Sequence, residues 1–174
     1  EDGGAIYNAG GAITITVSDS GGATRVYSNT AGNRGGGIYN DSGSVLFLDN
    51  NENDDPWGGQ VALNHADQGG FLYNNSGQVR LINNTIFANG AQDGGAIYNN
   101  TGAAVLESNE IYDNQALNAA NGRGAGLFNG SGSLSLDKGN EFYGNESDGY
   151  GGAIYSSGPL TVWNTLIYTN TARD

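Results

Sequence analysis

Few positions in this 174-residue chain carry side chains that could perform acid–base chemistry. The candidates within strand-like segments are Arg80, Asp49, Glu107, Asp137 and Lys138. Enzymes that cleave polysaccharides need clustered carboxylates, or a basic residue beside a calcium ion, in a cleft. Glu107 and Asp137 occupy similar positions in adjacent repeats and could lie close together, but no third group joins them. We therefore expect no enzyme, and a polysaccharide lyase or hydrolase is the least favoured alternative.

Metal and thiol chemistry have little support in the sequence. The acidic segment 49–55 is rich in the oxygen ligands that calcium prefers, and its candidate ligands are Asp49, Glu52, Asp54 and Asp55. Its spacing is not that of an EF-hand loop, so we expect a solvated loop and no cofactor, with Ca²⁺ as the weak exception. His65 is the only histidine and cysteine is absent, so a surface role is expected for His65 rather than zinc or thiol chemistry.

Asparagine recurs at two fixed places of an internal repeat. One set ends the first strand-like segment of each repeat and comprises Asn8, Asn40, Asn74, Asn99 and Asn129. The other set ends the third segment and comprises Asn29, Asn64, Asn89, Asn114, Asn145 and Asn170. Asparagine tolerates left-handed turn geometry, and its carboxamide can bond to the carboxamides above and below it. We therefore predict structural asparagine ladders at the corners of the fold.

Six Asn-x-Ser/Thr sequons give a second interpretation of some of these residues, as N-glycosylation sites on a secreted chain. The sequons begin at Asn40, Asn74, Asn83, Asn99, Asn129 and Asn145. Four of them share one repeat position, so a single structural cause could produce them. A row of glycans is expected only if the source is eukaryotic.

Aromatic residues also recur at two repeat positions. The first column comprises Tyr7, Tyr39, Tyr73, Tyr98, Phe128 and Tyr155, and the second comprises Tyr27, Phe87, Tyr112, Tyr143 and Tyr168. Because side chains alternate along a strand, these rings point outward if Ile6 and Val26 point inward. Exposed columns would suit sugar stacking or lateral packing. The alternative is that inserted loops cover the rings, which then add only stacking energy.

The repeat itself predicts the fold. The motif exemplified by Gly-Gly-Ala-Ile-Tyr-Asn begins at residues 3, 35, 69, 94, 124 and 151, at intervals of 32, 34, 25, 30 and 27 residues. Each unit continues with a glycine followed by alternating apolar residues, and then with an apolar-aromatic-x-Asn segment. A period of two indicates strands, so each unit predicts three short strands. We therefore predict an all-β protein, a right-handed parallel β-helix with three sides and about six coils.

We predict one β-helix domain over residues 1–174, with coils at 1–34, 35–68, 69–93, 94–123, 124–150 and 151–174. The shortest unit is interpreted as the bare coil, and the longer ones insert loops, as at 50–59. Coils stacked about 4.8 Å apart would make a rod roughly 29 Å long.

The pairing of Gly-Gly-Ala-Ile with a later aromatic-x-x-Asn pattern resembles the repeats of the chlamydial polymorphic outer membrane proteins and related parallel β-helix proteins. Most third segments of this chain depart from that pattern, since they open with Val or Ile and place the aromatic residue second. Gly94–Ile97 and Phe87–Asn89 match that pattern closely, whereas Gly69–Leu72 and Gly124–Leu127 depart from it. The resemblance covers nearly all of the chain. It implies a surface-exposed, adhesin-like passenger and does not fix a ligand.

Composition excludes several partners. The net charge is −12 and Lys138 is the only lysine, so nucleic acid and anionic lipid surfaces are not expected partners. No apolar run approaches the roughly 18 residues needed to cross a bilayer, so no membrane insertion of this segment is expected. Polar sugars and cations remain compatible with the charge.

The two ends of the chain suggest self-association. The sequence opens on the first strand of a coil without an initiator methionine, and we interpret it as a segment of a longer precursor. Neither end resembles a helical cap, and open coils present edge strands that template further pairing. We predict an extracellular or cell-surface fibre or stalk that associates head-to-tail through its coil ends. The alternative is an adhesin passenger that binds glycans or a host surface.

Overall fold

A computed structural model describes residues 1–17, 24–49, 60–118 and 121–173. The regular structure in these residues consists of 22 β-strands, and every strand pair in them is parallel. The strands form three six-stranded sheets and one four-stranded sheet. In the described residues no helix is long and apolar enough to cross a membrane.

The first sheet collects the strand at the end of each Gly-Gly-Ala-Ile-Tyr-Asn-like motif. Its members are β1 (Ile6–Asn8), β4 (Ile38–Asn40), β7 (Leu72–Asn74), β11 (Ile97–Asn99), β15 (Leu127–Asn129) and β19 (Ile154–Ser156). The second sheet holds the longer, alternating strands. They are β2 (Ala12–Val17), β5 (Ser44–Asp49), β8 (Gln78–Ile82), β12 (Ala103–Glu107), β16 (Ser133–Asp137) and β20 (Leu160–Val162).

The third sheet holds the predicted apolar-aromatic strands, in the order in which the coils stack. They are β3 (Val26–Tyr27), β6 (Gln60–Ala62), β9 (Thr85–Phe87), β13 (Glu110–Tyr112), β17 (Glu141–Tyr143) and β21 (Leu166–Tyr168). The sequence did not predict a fourth sheet of two-residue strands. It comprises β10 (Gly90–Ala91), β14 (Gln115–Ala116), β18 (Glu146–Ser147) and β22 (Thr171–Ala172).

The register places equivalent repeat positions directly above one another. Ile97 pairs with Leu72 on one side and with Leu127 on the other, and the same holds along the other sheets. Inward-facing residues such as Phe47, Leu81 and Leu106 are fully buried, because each coil covers the apolar side chains of its neighbours. The predicted fold class, an all-β parallel β-helix of six coils, is confirmed.

The motif glycines line one edge of the rod, and the first and second glycines are needed for different structural reasons. The first is present in all six coils and the second in five, because Ala125 stands at that position in the fifth coil. The first glycine adopts a left-handed backbone, as at Gly94 with φ +61°, which disfavours residues that carry a Cβ. The second lies against the backbone of the next coil. A Cβ on Gly70 would lie 2.3 Å from the carbonyl oxygen of Gly95.

The corners after the third-sheet strands are built differently from the prediction. The left-handed residue is not the asparagine but the residue before it, such as Ala88 at φ +51° and Asp113 at φ +51°. The asparagine holds this turn closed, since Asn89 Nδ2 donates to the carbonyl oxygen of Phe87 at 3.0 Å. Asparagine is therefore needed for its carboxamide and not for its backbone freedom.

Candidate functional site

Two predicted asparagine ladders are confirmed. In the third-side ladder each Nδ2 donates to the Oδ1 of the next coil at 2.8–3.0 Å, from Asn29 through Asn64, Asn89, Asn114 and Asn145 to Asn170. The first-side ladder runs from Asn8 through Asn40, Asn74 and Asn99 to Asn129 at 2.8 Å per step, and it ends on the Ser156 hydroxyl. Asn74, Asn99 and Asn114 are completely buried, so the carboxamides must satisfy one another.

A third, shorter ladder follows the second-sheet strands and was missed by the sequence analysis. Asn84 donates to Asn109 at 3.1 Å, and Asn109 donates to Asn140 at 3.0 Å. Its signal was present, since Asn84 and Asn109 each lie three residues after the inward-facing leucines Leu81 and Leu106.

The ladders overturn the glycosylation prediction for five of the six sequons. The side chains of Asn40, Asn74, Asn99, Asn129 and Asn145 are 0% exposed and donate to a neighbouring side chain. A glycan cannot occupy an amide nitrogen that is enclosed between two coils. Only Asn83, which lies on the exposed corner before Asn84, remains a candidate acceptor.

The first aromatic column is largely buried, which favours the alternative of covered rings over that of an exposed surface. Tyr39, Tyr73, Tyr98 and Phe128 are 4–8% exposed, although Tyr7 at the end of the column is 55% exposed. The rings stack with centroids 4.3–5.4 Å apart. Burial is the main cause that raises the pKa values of Tyr73 and Tyr98 above the ordinary range.

Guanidinium groups lie against this column. The Cζ atom of Arg34 lies 5.3 Å from the Tyr73 ring centroid, and that of Arg123 lies 4.8 Å from the Phe128 centroid. Arg123 also forms a bidentate pair with the carboxylate of Asp93 at 3.0 and 2.7 Å, which raises the pKa of Arg123. The alternation of side chains thus predicted the outward direction of the rings and left their exposure open.

The second aromatic column remains on the surface, but its ring faces are occupied. Phe87, Tyr112, Tyr143 and Tyr168 stack at 4.9–5.3 Å with interplanar angles of 2–14°. The Tyr143 hydroxyl donates to the Glu110 carboxylate, and burial together with this bond raises the pKa of Tyr143. A sugar stacks on the face of a ring, so only the end of such a column offers a platform.

Of the five charged candidates for chemistry, Arg80, Glu107 and Lys138 meet on the outer face of the second sheet. Glu107 and Asp137 are register partners, as the repeat predicted. The buried Glu107 carboxylate accepts from Arg80 at 2.7 Å and from Lys138 at 2.6 Å. These hydrogen bonds hold the pKa of Glu107 below its usual range, so the group is an anion fixed between two cations rather than a proton donor.

The remaining candidates for chemistry are the acidic segment 49–55 and His65. Glu52, Asp54 and Asp55 fall outside the described residues, and Asp49 ends β5. Within the described ranges no group of three or more His, Asp or Glu side chains could hold a metal ion. His65 is exposed, as expected, and its ring lies over Gly90.

His65 belongs to an open groove of about 620 Å³ that crosses coils two to four beside the fourth sheet. We call it the coil-3 groove, because the small residues Ala88 and Gly90 of the shortest coil form its floor. The groove is lined by both polar and apolar side chains, which include Leu63, His65, Asp67, Gln92, Asp113, Gln115 and Leu117. Gln92 Nε2 donates to Asp67 at 2.9 Å.

The two end coils form the other unusual surface. On the sixth coil Leu160, Val162 and Ile167 are 40–48% exposed, whereas their register partners Leu134, Leu136 and Phe142 are 0–2% exposed.

Comparison of the chain with known protein families, with curated proteins and with solved structures gives no match.

We expect Asn114→Ala to lower the free energy of unfolding by about 2–4 kcal/mol, because it removes a buried carboxamide whose Oδ1 accepts from both the Nδ2 and the backbone N–H of Asn89. The buried N–H of Asn89 then lacks its acceptor, whereas the Nδ2 keeps the carbonyl oxygens of Val61 and Phe87. Urea unfolding followed by circular dichroism measures the change. Gln115→Ala removes the neighbouring exposed amide and should change stability by less than about 0.5 kcal/mol. Equal effects of the two variants would contradict the structural role of the ladder.

Glu107→Gln should lower stability by about 1–2 kcal/mol at neutral pH, because it removes the anion that Arg80 and Lys138 share. Since the folded pKa of Glu107 is lowered, its contribution is present above the unfolded pKa and is lost as the pH falls through the folded value. Urea midpoints of the variant and the wild type should therefore converge in acid.

Asp137→Asn is the matched control for this comparison, since the Asp137 carboxylate accepts from the Ser135 hydroxyl at 2.9 Å. We expect Asp137→Asn to have a smaller effect than Glu107→Gln at neutral pH, because the Asp137 carboxylate accepts only from a neutral hydroxyl. A Glu107→Gln deficit that stays constant from neutral to acid pH would show that the ion pairs do not cause it.

Proposed function

We propose that this chain is an extracellular structural solenoid, a fibre or stalk subunit that associates head-to-tail through its coil ends. The single observation that carries the proposal is the sixth coil. Its apolar side chains occupy positions that are core in the coils beneath it, yet Leu160, Val162 and Ile167 remain about half exposed. A surface built like a core position is suited to being covered by one more coil.

The first coil offers a matching surface at the other end. Ile6, Ile13 and Ile15 pack only partly against the core, whereas Val45 and Phe47 in the second coil are almost completely buried. Its strands have the same inward-facing apolar pattern as those of the sixth coil. Each aliphatic side chain that a further coil covers would contribute about 1–2 kcal/mol, since part of its surface is already buried.

Charge favours contact at the ends over contact along the sides. The net charge of −12 makes the long sides of two rods repel each other. The inward-facing side chains of the terminal coils are uncharged, so end-to-end association buries apolar surface without desolvating ions. An open filament is the expected product when such a contact does not close on itself.

The two ion pairs of Glu107 support a structural role for this residue over a catalytic one, because Arg80 and Lys138 already neutralise its carboxylate. An extracellular place is supported by the resemblance of the repeats to those of surface-exposed passengers.

The proposal is tested by Val162→Lys, which puts a cation on the exposed end of the core. We expect the wild type to form short filaments whose mean length rises with protein concentration, as seen by negative-stain microscopy and light scattering. The variant should be monomeric because the lysine would be buried at the joint. Thr161→Lys changes the adjacent, outward-facing residue and should still assemble. A wild type that stays monomeric at high concentration would overturn the proposal.

A second candidate, an adhesin that binds glycans, is favoured by the coil-3 groove alone. Amide and carboxylate groups of Gln92, Asp113 and Gln115 can bond to sugar hydroxyls, while Leu63 and Leu117 offer apolar contacts for the sugar ring. The acidic lining and the net charge disfavour anionic polymers, so the ligand class is a neutral or amino sugar.

We expect a glycan array to show binding of neutral or amino oligosaccharides that Asp113→Asn and Gln115→Ala weaken at least about tenfold, by the loss of one or two hydrogen bonds. Asp148→Asn makes the same change on the fifth coil, outside the groove, and should leave binding intact. An array without hits, or equal loss in all three variants, would remove this candidate.

A further inference from the structure

We propose that the corner pair Asn121–Gly122 is a site of deamidation by water, and that the asparagine ladders protect the other asparagine–glycine pairs of the chain from the same reaction. The modification is independent of how the protein assembles. It rests on the occurrence of three such pairs, the enclosure of two of them within the ladders, and the exposure of the third.

Asparagine is followed by glycine at three places in the chain, Asn89–Gly90, Asn121–Gly122 and Asn129–Gly130. The glycine matters because the backbone nitrogen that follows an asparagine attacks the carboxamide carbon most easily when no Cβ crowds it. Every other asparagine precedes a residue that carries a Cβ. The local sequence thus makes these three pairs the reactive ones, and the fold decides among them.

The reaction requires the Gly122 nitrogen to reach the Cγ atom of Asn121. A bond between these atoms closes a cyclic imide while the Cγ–Nδ2 bond breaks. The Nδ2 group leaves as ammonia and takes the proton of the Gly122 amide with it. Water then opens the imide at either carbonyl, which gives aspartate or isoaspartate. The net change consumes one water and releases one ammonia, and no electron is transferred.

The third-side ladder holds both reacting groups at Asn89, which is 1% exposed. Its Nδ2 donates to the Oδ1 of Asn114 at 3.0 Å and to the carbonyl oxygen of Val61 at 3.1 Å. Its Oδ1 accepts from the Nδ2 of Asn64 at 2.9 Å. The attacking nitrogen is also occupied, since the Gly90 N–H donates to the carbonyl oxygen of Asn64 at 3.0 Å. Attack therefore requires the coils to open locally.

The first-side ladder does the same at Asn129, which is 0% exposed. The Nδ2 of Asn129 donates to the carbonyl oxygen of Gly132 and to the Ser156 hydroxyl, both at 3.0 Å. The Gly130 N–H donates to the carbonyl oxygen of Asn99 at 2.8 Å. Two different ladders thus enclose two of the three reactive pairs.

The remaining pair lies outside the ladders. Asn121 is exposed on the corner between β14 and β15, and its carboxamide has no hydrogen-bond partner among the described residues. The Gly122 N–H likewise has no backbone acceptor among them. A Cβ on Gly122 would lie 2.0 Å from the carbonyl oxygen of Ala116, so the fold requires glycine here. The corner keeps the small residue that the reaction needs and leaves the carboxamide that it consumes unprotected.

The two products differ in their effect on the fold. Aspartate adds a negative charge at an exposed position and keeps the length of the backbone. Isoaspartate adds one carbon to the backbone directly before Gly122, whose carbonyl oxygen accepts from the Tyr150 N–H at 2.9 Å. The isoaspartate product therefore acts on a bond between the fourth and fifth coils.

Ageing of the native protein in heavy-oxygen water tests the site, because only deamidation during the incubation is labelled. Tryptic peptides analysed by mass spectrometry, with fragment ions to separate Asn89 from Asn121, measure each rate. We expect Asn121 to deamidate at least about tenfold faster than Asn89 and Asn129. In urea the three rates should converge. A native rate at Asn121 that does not exceed the other two would overturn the proposal, and so would a difference that persists in urea.

Two variants separate the corner from the ladder, each checked for its fold by circular dichroism. Asn121→Gln should abolish the labelled product at the corner and leave the urea midpoint unchanged, because the residue is exposed. Asn114→Ala removes a ladder partner of Asn89 and should raise the Asn89 rate at least about tenfold, with the Asn121 rate unchanged. An unchanged Asn89 rate in folded Asn114→Ala would overturn the protective role of the ladder.

Discussion

The rest of the structure depends on the need of a buried carboxamide for partners. A side chain such as Asn74 or Asn114 is fully enclosed, so its donors and its oxygen must be satisfied inside the rod. The coils above and below supply those partners at about 2.8–3.0 Å, which requires equivalent residues to lie directly over one another. The ladders thereby fix the register of every sheet, and a slip of one residue would leave many buried polar groups unsatisfied.

Much of this arrangement could be predicted from the sequence, because the physical signals repeat. Period-two alternation after Gly43 or Gly77 predicts a strand, and six copies of the pattern predict stacked coils. The asparagines that end the first-sheet and third-sheet strands lie at constant offsets, which is why two ladders were visible. The short fourth sheet escaped, because strands such as Gly90–Ala91 carry no alternation.

Other features depend on which side chains a residue contacts in the folded structure, and the periodicity of the sequence does not predict those contacts. The alternation gives the direction of Tyr73 but not the arginine that covers its ring. The Asn-x-Ser/Thr consensus is local and cannot distinguish the exposed Asn83 from the enclosed Asn99. The third, shorter ladder of Asn84, Asn109 and Asn140 is irregular in sequence. Asn109 directly follows the left-handed corner residue Ser108, whereas Gly139 separates Asn140 from the left-handed corner residue Lys138. The ionised state of the Glu107 carboxylate likewise depends on Arg80 and Lys138, which come from two other coils.

The unequal lengths of the repeats have a consequence for the size of the particle. The repeat starts lie between 25 and 34 residues apart, yet each coil adds one strand to each of the three large sheets. The parallel strand pairing continues through long and short repeats alike, so the axial increment per coil stays at about 4.8 Å. The rod therefore behaves as a molecular ruler, whose span is set by the number of turns and is indifferent to how many amino acids each turn contains.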